Sequence, residues 1–191
     1  MKEQLPIALC LFTSAKGHFG VTSRFLETIK SLNNKIPISN FSLAIANIKY
    51  EEESDLLWEM KENLRSYGFQ VNLAKGAGWS HGNQTHQNGY LDDMFNIYSK
   101  PEVQKIPYIL HQEDDFLYST PKNNLNHWMN FAVDLLKNDP TLNQVRFARF
   151  LNEYQRINNL QKKHNINGLA SGVFSSSDYF RMNDFSLNPS I

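Results

Sequence analysis

Three consecutive carboxylates, Glu113, Asp114 and Asp115, close the stretch IPYILHQEDDF at residues 106–116. They follow a mostly apolar run and precede an aromatic residue. Adjacent ionised carboxylates repel one another, and burying even one is costly unless something cationic meets it. At the rigid end of a strand, Glu113 and Asp115 stand two residues apart and therefore project towards the same side. Hard oxygen donors so placed suit a divalent cation that keeps waters and substrate phosphate oxygens in its shell. The competing reading of EDD is an exposed acidic turn that caps the next element.

Two further segments carry residues suited to ligand chemistry. SAKGHFG, residues 14–20, offers Gly17 and Gly20 for close backbone approach to a ligand. It matches neither the phosphate-cradling G-x-x-x-x-G-K-S/T pattern nor the dinucleotide G-x-G-x-x-G pattern, and a plain strand-to-helix turn accounts for it equally well. Residues 75–88 bring together Lys75, Gly76, Gly78, Trp79, His81, Gly82 and His86. Lys75 with glycine amides suits a pyrophosphate, and Trp79 suits the face of a base or sugar. The two histidines have poor metal-ligand spacing and read as solvated loop residues. Asp92 and Asp93 read as a solvated helix start, where the helix dipole favours carboxylates. Arg146 and Arg149 are available either to neutralise phosphate or to pair with carboxylates.

The elements that must position these residues alternate. Residues 7–13 (IALCLFT) form a short continuous apolar run, as expected of a strand buried on both faces. Phe25, Ile29 and Leu32 then mark one face of a helix over about 22–32. Residues 41–48 predict a second strand. Leu57, Met60, Leu64 and Tyr67 predict a helix opened by Ser54 as N-cap and stopped at Gly68. A third strand over 69–73 precedes a helix marked by Leu91, Phe95 and Tyr98, which must end before Pro101. Residues 108–112 form the fourth strand, with EDD at its end. Leu125, Trp128, Ala132 and Leu135 mark a long helix closed by Asp139-Pro140, and residues 144–150 alternate like a strand.

This order implies an α/β fold: three α/β/α layers around a central, mostly parallel but mixed sheet, Rossmann-like in its N-terminal half. SAKGHFG, AKGAGWSHG and EDDF all fall at the carboxyl edge, where open α/β sheets bind ligands. With 191 residues, 41% of them hydrophobic, the chain reads as one domain, 1–191. Its brevity leaves room for a truncation or a continuation at the C-terminus. Zero formal net charge excludes the global basic field that attracts nucleic acid or an anionic membrane. No window is apolar enough for an integral membrane segment. Cys10 is the only cysteine, so a disulfide framework is excluded and a cytoplasmic location is expected. The apolar run after Lys2 has the order of a secretory signal, but Glu3 and Pro6 favour a first strand.

The βα order and the apolar strand ending in Glu113-Asp114-Asp115 resemble the GT-A-type nucleotide-diphosphate-sugar glycosyltransferases, whose strand-terminal acidic motif is of D-x-D type. The resemblance extends to about residue 150. It implies a glycosyltransferase-like catalytic domain moving a sugar from a nucleotide-diphosphate donor, with a UDP-sugar favoured, to a glycan or other hydroxyl acceptor, with Mn²⁺ or Mg²⁺ as cofactor. Thr13, Ser14 and Lys16 would then contact base and ribose, and Lys75 and Gly76 would lie near the diphosphate or ribose. Glu113 and Asp114 would contact ribose, donor sugar or metal-bound water, with Asp115, and by the D-x-D pattern Glu113, as metal ligands. Glutamate in the first position departs from the strict motif. An inverting enzyme also needs a general base, for which Glu153, Asp178 and Asp184 are candidates and Asp178, in SSSDYF, is preferred. A sugar-phosphate nucleotidylyltransferase and a non-catalytic nucleotide- or carbohydrate-binding module of the same fold are the alternatives.

Overall fold

The computed structural model describes residues 4–15, 21–76, 84–114 and 122–139. All of these lie within one compact unit, Met1–Asn143. Four strands form the described sheet: β1 (Leu5–Ser14), β2 (Phe41–Tyr50), β3 (Gln70–Lys75) and β4 (Tyr108–Glu113). Among the described residues the helices are α1 (Val21–Lys35), α2 (Asp55–Ser66), α3 (Gln84–Tyr98), α4 (Pro101–Gln104) and α5 (Lys122–Asn138), with a 3-10 turn at Ile38–Asn40. The strand order is β3-β2-β1-β4, and every neighbouring pair is parallel. The α/β expectation therefore holds, with an all-parallel sheet among the described residues; the strand expected over 144–150 lies outside them.

Handedness explains which face each helix covers. The chain runs from β1 through β2 to β3 in one direction across the sheet, then returns past both to place β4 on the other side of β1. Right-handed crossovers in opposite directions put their helices on opposite faces. Accordingly Phe25, Ile29 and Leu32 of α1 and Leu57, Met60 and Leu64 of α2 pack with Ile7, Leu9 and Leu11 of β1, and Met129 of α5 joins them. Ile97 of α3 and Val103 of α4 pack with Ala8, Cys10 and Phe12 on the reverse face. β1 is thus apolar at successive positions because both its faces are covered. Pro6 sits where the β1–β2 register shifts, at the start of the strand, where its missing N–H costs least.

Local signals act where expected in α2. The Ser54 side chain accepts a hydrogen bond from the Leu57 amide at 3.2 Å, and Gly68 has φ +94, a left-handed geometry that ends the helix without Cβ strain. In α3 the inward face differs from the expected one. Leu91 and Phe95 are exposed, Phe95 by 67%, whereas Tyr90, Asp93, Met94, Ile97 and Tyr98 face the sheet. Tertiary partners decide this: β2 and β4 present a lysine, a histidine and a glutamate to α3, and only polar or phenolic side chains can meet them. Among the described residues no helix is long and apolar enough to cross a membrane.

Candidate functional site

The β1–β4 register sets Phe12 beside Glu113, so the next residues, Thr13 and Asp114, meet at the carboxyl ends of both strands. Thr13 is fully buried, and its Oγ1 donates to Asp114 Oδ2 at 2.7 Å. From α1, Thr28 Oγ1 donates to the Asp114 carbonyl oxygen at 2.6 Å. The Asp114 side chain and backbone are thus held by hydroxyls from two different elements, a strand and a helix. This is the point where the strand order reverses direction, and in open parallel sheets the crevice at such a point is where ligands bind.

Glu113 points the other way. Side chains alternate along a strand, so Glu113 shares the α3 face with His111. Tyr90 of α3 donates its hydroxyl to Glu113 Oε1 at 2.9 Å and also lies 2.9 Å from His111 Nε2. Tyr98, two turns further along α3, contacts His111 Nδ1 at 2.6 Å. Phe12 stacks on the imidazole with centroids 5.1 Å apart and meets both tyrosine rings edge-on. Burial first, and then the negative charge of Glu113, push the Tyr90 hydroxyl well above its ordinary range, so it keeps its proton and remains a donor. Burial likewise raises Tyr98. The Cys10 thiol, beside His111 in the register, is pushed up to about 12 by burial, which makes it an inert core group and no nucleophile.

The carboxylate crowding of EDD is therefore relieved, for its first two members, by divergence to opposite faces and by hydroxyl donors. One oxygen of Glu113 is committed to Tyr90; the other makes no hydrogen bond among the described residues. Among those residues no group of three or more His, Cys, Asp or Glu side chains is placed to hold a metal ion. The Glu113 donor is nevertheless a hard carboxylate oxygen at a strand end, and Mg²⁺ or Mn²⁺ held by one or two carboxylates plus substrate phosphates needs no third protein ligand. The chemistry of the donor set fits such an ion.

On the other side of β1, the sequence reading of Asp92 and Asp93 needs correction. Asp92 is exposed, but Asp93 lies in the interior of α3 and is 5% exposed. Its carboxylate takes Lys49 Nζ of β2 at 3.0 and 3.2 Å, both side chains being nearly sealed from water. The signal missed was Lys49 itself, a lysine near the end of an apolar strand, which at that depth requires an anion. Gly76 serves this pair: its φ is +153, and a Cβ there would stand 3.1 Å from Lys49 Cε. Nearby, the side-chain amide of Asn72 donates to Asn47 Oδ1 at 2.6 Å, and the buried Asn47 Nδ2 has no partner among the described residues.

The structure therefore brings Thr13 and Asp114 together on one face of the sheet, with Ser14 following on β1, and turns Glu113 to the other face beside Tyr90 and His111. Lys75 is exposed at the end of β3, three strand spacings or about 14 Å from β4. Neither it nor Gly76 joins the carboxylate cluster. Lys16, Asp115 and Asp178 lie outside the described residues, as do Trp79, His81, Arg146, Arg149, Glu153 and Asp184; His86 falls in the first turn of α3. No protein-family model matches the chain, and a comparison with curated proteins also finds no match.

Proposed function

We propose that the chain is a divalent-metal-dependent glycosyltransferase of the GT-A type, using a nucleotide-diphosphate sugar, with a UDP-sugar favoured, and a hydroxyl acceptor. The observation that carries this reading is the placing of adjacent carboxylates, Asp114 held by Thr13 and Glu113 held by Tyr90, at the reversal point of a parallel sheet, with Asp115 next in the chain. In this reading Ser14 and Lys16 bind the base and ribose, Glu113 and Asp114 bind donor hydroxyls or metal-bound water, and Asp115 is the principal ligand of Mn²⁺ or Mg²⁺. When bound, the ion supplies Lewis-acid stabilisation of the departing diphosphate, so no protein acid is required at the leaving group. Thr13 is assigned to holding Asp114, because its hydroxyl is buried and already donating there. Asp178 remains the preferred base for an inverting reaction, taking the proton from the acceptor hydroxyl.

One observation favours a second reading. Glu113 and Asp114 each accept from a protein hydroxyl, which also suits a nucleotide-binding module that needs no metal. Hydrolysis or transfer measured on a panel of UDP- and GDP-sugars separates the two. The transferase reading expects turnover with at least one UDP-sugar that stops on chelation and returns with Mn²⁺. Absence of turnover across the panel, or turnover indifferent to chelator, sinks it.

A further inference from the structure

With Glu113 ionised and His111 neutral, the hydrogen bonds between α3 and β4 admit one arrangement of protons. An ionised Glu113 can only accept, so the Tyr90 hydrogen goes to Oε1 at 2.9 Å and the Tyr90 oxygen must accept from His111 Nε2. A neutral imidazole then has a bare Nδ1, which accepts from the Tyr98 hydroxyl at 2.6 Å. The chain Tyr98, His111, Tyr90, Glu113 is therefore directional, each member donating to the next. Phe12 stacked on the imidazole fixes the ring plane, and the Lys49–Asp93 pair anchors α3 one turn beyond Tyr90.

We propose that Tyr90 is a positioning residue for Glu113, oriented by His111 in its Nε2–H tautomer and by Tyr98 behind it, so that one Glu113 oxygen is committed to the protein and the other is presented to the nucleotide-sugar donor. The proposal rests on the donor-site reading above and deepens it. Glutamate has one more rotatable bond than aspartate, so a strand-end Glu in a site that must be preorganised needs an external restraint. The Tyr90 hydroxyl supplies it from a rigid helix, donating to Glu113 while its oxygen accepts from the imidazole.

The test has two readouts. In protein with ¹⁵N-labelled histidine and no ligand, NMR of the His111 ring is expected to show Nε2 protonated and Nδ1 bare, and Tyr90→Phe or Tyr98→Phe is expected to release this tautomer preference. UDP titrated in the presence of Mn²⁺ is then expected to bind Tyr90→Phe roughly tenfold more weakly than wild type, the amount associated with one charge-assisted hydrogen bond. Tyr98→Phe, which acts through two further groups, is expected to weaken binding less. Both substitutions keep the ring and its edge-on contact with Phe12. An Nδ1–H tautomer in the free protein, or equal UDP affinity in wild type and Tyr90→Phe, overturns the positioning role. Failure of wild type to bind UDP at all is a different outcome: it overturns the donor-site reading, and the role given to the second Glu113 oxygen falls with it.

Discussion

Replacing Lys49 by methionine is expected to cost about 3–5 kcal/mol of folding stability, the range found when one partner of a buried ion pair is removed. Methionine nearly matches the lysine stem in length, so packing against Gly76 is kept while the Asp93 carboxylate loses its cation in a site that is 7% exposed on the aspartate side. The Coulomb attraction of the pair and its desolvation cost largely cancel when both are present; removing Lys49 takes away that attraction and leaves the aspartate's desolvation cost in place. The double substitution Lys49→Met/Asp93→Leu is therefore expected to recover most of the loss. Urea unfolding of the wild type, the two single variants and the double variant measures this directly. A loss below about 1 kcal/mol for Lys49→Met is the behaviour of an exposed pair and would contradict the burial. The pair also bears on the site, because Asp93 and Tyr90 stand three apart on α3 and share a face. Loosening α3 at Asp93 loosens Tyr90 where it meets Glu113.

The second large effect concerns Asp115. If this residue is the principal metal ligand, Asp115→Ala is expected to lower sugar transfer or donor hydrolysis by about 10³-fold or more. That is what losing several kcal/mol of charge stabilisation at the leaving diphosphate entails. Asp115→Asn keeps the shape and removes the charge, and is expected to lose nearly as much. Melting both variants without ligand separates loss of chemistry from loss of fold. An unchanged, nonzero turnover in Asp115→Ala removes Asp115 from the mechanism and favours the binding-module reading.

Much of the fold is legible in the sequence. β1 announced itself because a strand covered on both faces has no polar alternation to disguise it, and Ser54 and Gly68 bounded α2 because caps act through neighbours three or four residues away. Leu57, Met60 and Leu64 were buried as their spacing required. The α3 face was misjudged for the opposite reason. Leu91 and Phe95 are its most apolar residues, yet the sheet beneath α3 presents Lys49, His111 and Glu113, which lie 44, 21 and 23 residues in sequence from Asp93, Tyr90 and Tyr90 respectively.

Long-range register governed the site in the same way. Glu113, Asp114 and Thr13 were named from the sequence, but the bond between Thr13 and Asp114 spans 101 residues and becomes visible only once β4 is known to lie beside β1. The divergence of Glu113 and Asp114 to opposite faces follows from strand alternation. Which donors wait on each face does not, since Tyr90, Thr13 and Thr28 belong to three separate elements. Beside Lys75, Gly76 suits a pyrophosphate by residue type alone; in the fold it makes room for Lys49.

The central claim is that the carboxyl ends of β1 and β4 form a nucleotide-diphosphate site that works with a divalent cation. Its most direct test is the thermal unfolding midpoint of the wild-type chain with UDP, GDP or CMP, each with and without Mn²⁺. UDP at a hundredfold excess over its Kd, with Mn²⁺ present, is expected to raise the midpoint by about 5–10 °C, and to raise it far less without the ion. A midpoint that no diphosphonucleotide shifts in a metal-dependent way would contradict the account.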